Sequence, residues 1–162
     1  MDNHPNRKTI RLKNYDYRSA GVYHVTVCAH NRQCIFGSVV NGKMVLNAIG
    51  RVAHENAELI PAHYPESQLI DFIVMPNHIH MLLGLQTETD ANYGVPTTAH
   101  SLSQIVRAYK ASVSKAFGRS IWQPRFYEHI IRKERDYLDT IAYIQHNPAA
   151  WEKDDYYLPT PP

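Results

Sequence analysis

A chain of 162 residues is long enough to bury one hydrophobic core and too short for two comfortable domains. Its 44% hydrophobic and 20% charged residues are ordinary for a globular protein, and its net charge of +2 favours no class of partner. We therefore expect a single domain over residues 1–162, with its core at about 22–151 between a basic N-terminal lead-in and a proline-rich tail.

The sequence shows no signal peptide and no hydrophobic run of membrane-spanning length. Cys28 and Cys34 are its only cysteines, and their spacing is not that of a zinc motif. We interpret them as reduced thiols, which predicts a cytoplasmic protein with no membrane association.

The first half of the core is predicted to hold strands and one helix. Alternating β-branched residues predict a strand over residues 22–30. An Asn-Gly pair between two β-prone runs predicts a hairpin within residues 35–47. Apolar residues at helical spacing predict a helix from residue 49 to about 63, where prolines end the pattern.

The second half is predicted to continue with two strands, a loop, a helix, a strand and a last helix. In order these elements are residues 68–75, 78–85, 86–100, 101–117 with Ser101 as N-cap, 126–132 and 134–146. Without the hairpin and the last helix, the order is βαββαβ. This predicts an α+β, ferredoxin-like fold, in which an antiparallel sheet carries helices on one face and leaves the other free for binding.

Two histidines stand one residue apart in the second of the paired strands. Successive strand residues point to opposite faces, so His78 and His80 share a side while Ile79 faces the other. Two adjacent imidazoles can hold one cation. A histidine satisfied within the core is the simpler interpretation, and the pattern alone leaves both open.

Helical phase separates the tyrosines of the last two helices. Tyr109 falls on the apolar stripe of its helix and is expected in the core. Tyr143 lies opposite the stripe that we predict for the last helix and in phase with Asn147, one turn further on. A surface tyrosine remains the alternative to a site residue. The predicted apolar stripe consists of Tyr137, Leu138, Ile141 and Ile144.

Basic side chains are concentrated near the N-terminus and in a later stretch. Such clusters are usually solvated surfaces, but they can also follow a phosphate backbone. The candidate DNA contacts are Arg7, Lys8, Arg11, Lys13, Arg119, Arg125, Lys133 and Arg135.

Three stretches together resemble one protein family. "VMPNHIHMLL", "IWQPRFYEHIIR" and "DYLDTIAYIQHNPAAW" occur in the order and at the separations found in the single-tyrosine HUH transposases of the IS200-like superfamily. The similarity is greatest to the REP-associated tyrosine transposases and runs from about residue 22 to 151. The ferredoxin-like fold of that family agrees with the order of the predicted elements.

The resemblance implies a metal-dependent enzyme that nicks and rejoins single-stranded or hairpin DNA at palindromic repeats. By the same resemblance, Tyr143 matches the nucleophile that forms a covalent 5′-phosphotyrosine. His78, His80 and Asn147 match the ligands of a divalent cation, Mg²⁺ or Mn²⁺, with Asn147 where many relatives have Gln. Some relatives act as homodimers and REP-associated ones can act as monomers, so a homodimer is a possible assembly.

Two other functions are compatible with the sequence. One is a DNA-binding protein of the same descent without catalysis. The other is a small hydrolase that uses His78 and His80 to activate a water. The hydrolase is less favoured because no carboxylate stands at a suggestive spacing from the histidines.

Overall fold

The computed structural model describes residues 21–86 and 100–159. Arg7, Lys8, Arg11 and Lys13 lie outside the described residues, as does nearly all of the predicted loop at 86–100. The described strands and α-helices, in chain order, are β1 (Gly21–Cys28), β2 (Gly37–Val40), β3 (Lys43–Leu46), α1 (Ala48–Glu58), α2 (Ile60–His63), β4 (Ser67–Val74), β5 (His78–Leu85), α3 (Leu102–Phe117), β6 (Tyr127–Ile131) and α4 (Glu134–His146).

The main sheet has four strands in the order β4-β5-β1-β6. All three neighbouring pairs are antiparallel, and β1 pairs with β5 from Gly21 opposite Leu85 to Cys28 opposite His78. With α1 and α3 as the two connecting helices, this order confirms the predicted ferredoxin-like arrangement. The predicted hairpin is β2–β3, a separate two-stranded sheet whose turn residues Asn41 and Gly42 both have positive φ.

One face of the sheet carries the main hydrophobic core. Alternate residues of β1 and β5 point to this face and are completely buried, among them Val25 and Met81. They pack with buried residues of α1 and α3, including Ala53 and Val106. Tyr109 is part of this core, as expected, and its hydroxyl donates to Ala53 O at 2.9 Å.

The predicted helix at 49–63 is two helices, α1 and α2, that meet at Leu59. Pro61 explains the break, because it has no N–H to donate to the carbonyl of residue 57. The predicted strand at 22–30 also ends early. His30–Arg32 forms a single 3₁₀ turn in which Asn31 and Arg32 adopt positive φ, which turns the chain away from the sheet.

α4 packs on the face of the sheet opposite the main core, where it contacts β4, β5 and β6. The side chains that β1 and β5 present there are polar in the middle of the sheet and include His24, Thr26, His78 and His80. None of the helices within 21–86 and 100–159 is long and apolar enough to cross a membrane.

Candidate active site

His78 and His80 are brought together by their strand as the alternation predicts. Both rings are buried, and their Nε2 atoms lie 3.0 Å apart. Each ring uses its other nitrogen, Nδ1, for contacts behind the pair. The two Nε2 atoms therefore face a common point, as the ligand atoms of a shared cation would.

Asn77 determines which nitrogen of His78 carries the proton. Its Nδ2 lies 3.1 Å from Arg32 O and 2.7 Å from Tyr156 O, and both carbonyls can only accept. The remaining atom, Asn77 Oδ1, must accept a hydrogen bond from His78 Nδ1 at 2.8 Å. A proton on Nδ1 leaves Nε2 of His78 with the lone pair that a metal ligand needs.

His80 is supported from the neighbouring strand β1. Thr26, directly opposite His80 in the register, places its hydroxyl 3.0 Å from His80 Nδ1. His24 places its Nε2 3.1 Å from the same atom. These contacts fix the orientation of the His80 ring, in the way that outer contacts commonly orient metal-binding histidines.

Burial keeps two of these imidazoles neutral. It lowers the pKa of His78 to about 3, with a further contribution from the positive charge of Arg32. Burial also lowers the pKa of His24 to about 4, assisted by His129 across the strand pair. Only the unprotonated form of histidine binds a cation, so this environment favours ligation at neutral pH.

Tyr143 lies beside this histidine cluster. Its ring centroid is 5.1 Å from that of His80 and 6.0 Å from that of His24, and both contacts are edge-on. The tyrosine is 46% exposed, so the expectation that it lies outside the core is confirmed. It combines access from solvent with contact to the histidines, which a surface tyrosine on another part of the helix would lack.

The predicted apolar stripe of α4 is wrong in part. Ile144 is buried, whereas Leu138 is 57% exposed. At about 100° per residue, the two lie about 120° apart around the helix. The buried side is centred between Ile144 and Asn147 because α4 packs on a polar part of the sheet, and Tyr143 lies at the edge of that side.

Asn147 forms the C-terminal cap of α4 and is only 3% exposed. Its Oδ1 is buried and has no hydrogen-bond partner among the described residues. Buried acceptors of this kind are rare, and an amide oxygen is a suitable ligand for Mg²⁺ or Mn²⁺. The side chain therefore fits a cation site in chemistry and burial.

Asp154 also lies against the histidine pair, and the sequence did not reveal this. One ligand atom each from His78, His80 and Asp154 lies within 4.8 Å of the other two. The Asp154 side chain is 3% exposed, and its Oδ2 is 3.7 Å from His78 Nε2. It caps a single 3₁₀ turn, Trp151–Lys153, that follows α4. A turn this short leaves no periodic pattern in the sequence that could indicate the neighbours of Asp154.

The structure gives less information on the predicted DNA contacts. Arg119, Arg125, Lys133 and Arg135 are all exposed. Lys133 and Arg135 stand at the start of α4, about 15 and 12 Å along the axis from Tyr143 at about 1.5 Å per residue. A further cation lies close to the histidines: the Arg32 guanidinium is 5.2 Å from the centroid of the Tyr156 ring, which packs on His78.

A family model described as "Transposase IS200 like" matches residues 18–147. The chain belongs to this family. It is 36% identical over 168 residues to an uncharacterized protein of Haemophilus influenzae, and the aligned region covers 94% of this chain and 93% of that relative. It is also 29% identical over 140 residues to the REP-associated tyrosine transposase of Escherichia coli K12, covering 85% of this chain and 73% of that protein.

A solved structure shares the fold of this IS200-like transposase. It is that of a REP-associated tyrosine transposase bound to a REP hairpin, with a TM-score of 0.63 and 22% sequence identity. The match covers 90% of this chain and 75% of the other. The fold that the sequence predicts is therefore also the fold of that REP-associated tyrosine transposase.

Proposed function

We propose that this family member nicks and rejoins single-stranded or hairpin DNA, with Tyr143 as the nucleophile. The observation that carries the proposal is the contact between the half-exposed ring of Tyr143 and the His80 ring of the histidine pair. The family match and the fold shared with a hairpin-bound transposase support the choice of substrate. Tyr143 and the histidine pair meet within one chain, so the proposed reaction requires only one copy of the protein.

His78, His80 and Asn147 would hold the divalent cation, Mg²⁺ or Mn²⁺. A cation held by these residues would polarise the scissile phosphate and offset the charge that develops in the transition state. The two imidazoles favour Mn²⁺, while the amide oxygen suits either ion. Asn77 and Thr26 would hold the imidazoles in the ligating orientation before any ion arrives.

In the proposed reaction, the phenolic oxygen of Tyr143 attacks the scissile phosphorus in line with the 3′ oxygen. A bond forms from tyrosine to phosphorus, the bond to the 3′ oxygen breaks, and the phenolic proton is transferred to that oxygen. The products are a 5′-phosphotyrosine and a free 3′-OH. Attack by another 3′-OH reverses the step and joins strands without ATP.

The DNA would present an accessible, unpaired phosphate to the exposed side of Tyr143. Arg119, Arg125, Lys133 and Arg135 remain candidates for contacts to the backbone of the flanking DNA, as do the basic residues near the N-terminus. A palindromic repeat that folds into a hairpin supplies both a paired stem for such contacts and an unpaired flank for cleavage.

A covalent-trapping assay tests the proposal. Protein, Mn²⁺ or Mg²⁺ and a panel of labelled hairpin oligonucleotides with single-stranded flanks are incubated and run on a denaturing gel. We expect a covalent protein–DNA band that Tyr143→Phe abolishes. Tyr137→Phe, six residues earlier on the same helix, is the matched control and should retain the band.

Two outcomes would favour the other functions. Hairpin binding without any adduct across the panel would support a non-catalytic DNA-binding protein. Cleavage that persists in Tyr143→Phe but disappears in His80→Ala would support a hydrolase with a water nucleophile. The second possibility gains some support from Asp154, a carboxylate beside His78 that such a reaction could use.

A further inference from the structure

We propose that Asp154 is an additional ligand of the cation held by His78 and His80, contributed by the segment that follows α4. This inference rests on the proposed metal site and deepens it. The three side chains are buried, and their potential ligand atoms lie within 4.8 Å of one another. Two imidazole nitrogens and one carboxylate oxygen form a donor set that divalent transition metals commonly accept.

The distances within the cluster suit a shared ion. Adjacent donors about 2.1 Å from one octahedral cation are separated by about 3 Å. The Nε2 atoms of His78 and His80 are 3.0 Å apart, and Asp154 Oδ2 is 3.7 Å from His78 Nε2. The 3.0 Å separation matches that value, and the carboxylate oxygen lies within 4.8 Å of both imidazole nitrogens, on the side of the pair where a third donor is needed.

The carboxylate of Asp154 is held in a defined orientation. Its Oδ1 accepts a hydrogen bond from the backbone N–H of Tyr156 at 2.8 Å, which directs Oδ2 toward His78. The neighbouring residue Asp155 is exposed. The turn therefore places only the first of two adjacent aspartates against the histidine pair.

Contacts to the histidine strand also fix the segment that carries Asp154. Tyr156 O accepts from Asn77 Nδ2 at 2.7 Å, and the Tyr156 ring centroid is 4.5 Å from that of His78. Trp151 is buried beside them and lies 6.1 Å from the His78 ring. Asn77 thus contacts both His78 and the segment that carries Asp154.

Asp154 adds what the other proposed ligands lack, a negative charge. Two neutral imidazoles and an amide oxygen bind a divalent cation through dipoles alone. A carboxylate adds a direct charge interaction in a buried place, and the number of charged ligands is a main determinant of affinity for such ions. We expect its loss to weaken metal binding by about tenfold or more.

The test measures Mn²⁺ binding directly in the full chain without DNA. Isothermal titration and the decrease of the free Mn²⁺ electron-spin resonance signal give the Kd for wild type, Asp154→Asn and Asp155→Asn. We expect a Kd about tenfold or more higher for Asp154→Asn and no change for Asp155→Asn. The control removes the same charge one residue away, so it accounts for the long-range effect of net charge.

A structural role for Asp154 is distinguished by a second variant. Asp154→Asn and Asp154→Ser both retain an oxygen that can accept from the Tyr156 N–H, and thermal melting without metal shows whether each is folded. If both folded variants bind Mn²⁺ as tightly as wild type, Asp154 is not a ligand. If wild type itself binds no Mn²⁺, the proposed metal site fails, and the two failures are thereby separated.

Discussion

At the scale of single residues, the geometry of the candidate site depends on Asn77, which holds His78 in place. Asn77 has one amide group, and its two donors are used by Arg32 O and Tyr156 O. That leaves its oxygen to accept from His78 Nδ1, so the proton position on His78 follows from a hydrogen-bond network rather than from the histidine itself. In the low-dielectric interior, each hydrogen bond of such a network that is left unmade is costly.

Replacing Asn77 with Ala should affect both metal binding and stability. The variant leaves two carbonyls and the Nδ1 of His78 without a buried partner, which should lower the free energy of unfolding by about 1–3 kcal/mol. Loss of the oriented His78 should raise the Kd for Mn²⁺ by about 10- to 100-fold. Urea denaturation and isothermal titration measure the two effects.

Asn77→Asp provides the comparison for this prediction. Aspartate still accepts from His78 Nδ1 but cannot donate to Arg32 O and Tyr156 O. We expect it to keep most of the Mn²⁺ affinity while losing stability as Asn77→Ala does. Equal loss of affinity in both variants would contradict the proposed orienting role.

At the scale of elements, the orientation of α4 decides where Tyr143 lies. The helix packs on a polar part of the sheet, so its buried side includes Ile144 and Asn147 while Leu138 faces solvent. The pattern of apolar residues in the sequence predicted a different buried stripe for α4. That prediction takes apolar side chains to mark the packed side of a helix, which is not true of a helix that covers a polar site.

The phase of α4 can be tested by two truncations on the same helix. Ile144→Ala removes buried methyl groups and should lower the free energy of unfolding by about 2–5 kcal/mol. Leu138→Ala removes a side chain that is 57% exposed and should change it by about 0.5 kcal/mol or less. If urea denaturation showed that the two variants lose similar amounts of unfolding free energy, the helix would be rotated from the orientation described.

At the scale of the whole molecule, the sheet separates two environments. One face and the helices α1 and α3 form the apolar core, and the other face holds buried histidines beneath α4 and the segment after it. Burying imidazoles in this way makes stability depend on pH. The effect belongs to the folded state as a whole, because it compares all native contacts with the unfolded chain.

Metal-free protein should lose stability as the pH falls from 6.5 toward 5. The native pKa values of His24 and His78 are lowered to about 4 and about 3, whereas unfolded histidine titrates near 6.5. The unfolded state therefore binds more protons in this range, and acidification favours it. Each histidine contributes up to about 1.4 kcal/mol per pH unit to the free energy of unfolding.

Removing one of these histidines should reduce the change in the free energy of unfolding per pH unit. Urea denaturation of His24→Gln between pH 6.5 and 5 is expected to show a shallower pH dependence than wild type. His63→Gln, at an exposed position, is measured alongside it as the control for the substitution itself. A slope that is the same in His24→Gln and wild type would show that His24 is not held neutral by burial.

The sequence by itself determined the features that depend on neighbours along the chain. Strand alternation placed His78 and His80 on one side, the Ser101 cap and helical spacing defined α3, and motif order indicated the family. These signals are local, because the period of a strand or helix is set by its own backbone. The same reasoning gave the order of elements and hence the fold.

Only the tertiary structure decided which distant side chains meet. The Asn77–Tyr156 contact joins residues 79 positions apart, and Asp154 reaches His78 from a segment without helical or strand periodicity. His24 joined the site because β1 lies next to β5 in the sheet. Periodicity specifies which face a residue occupies but not what packs against that face, and this is fixed only when the sheet, α4 and the final segment come together.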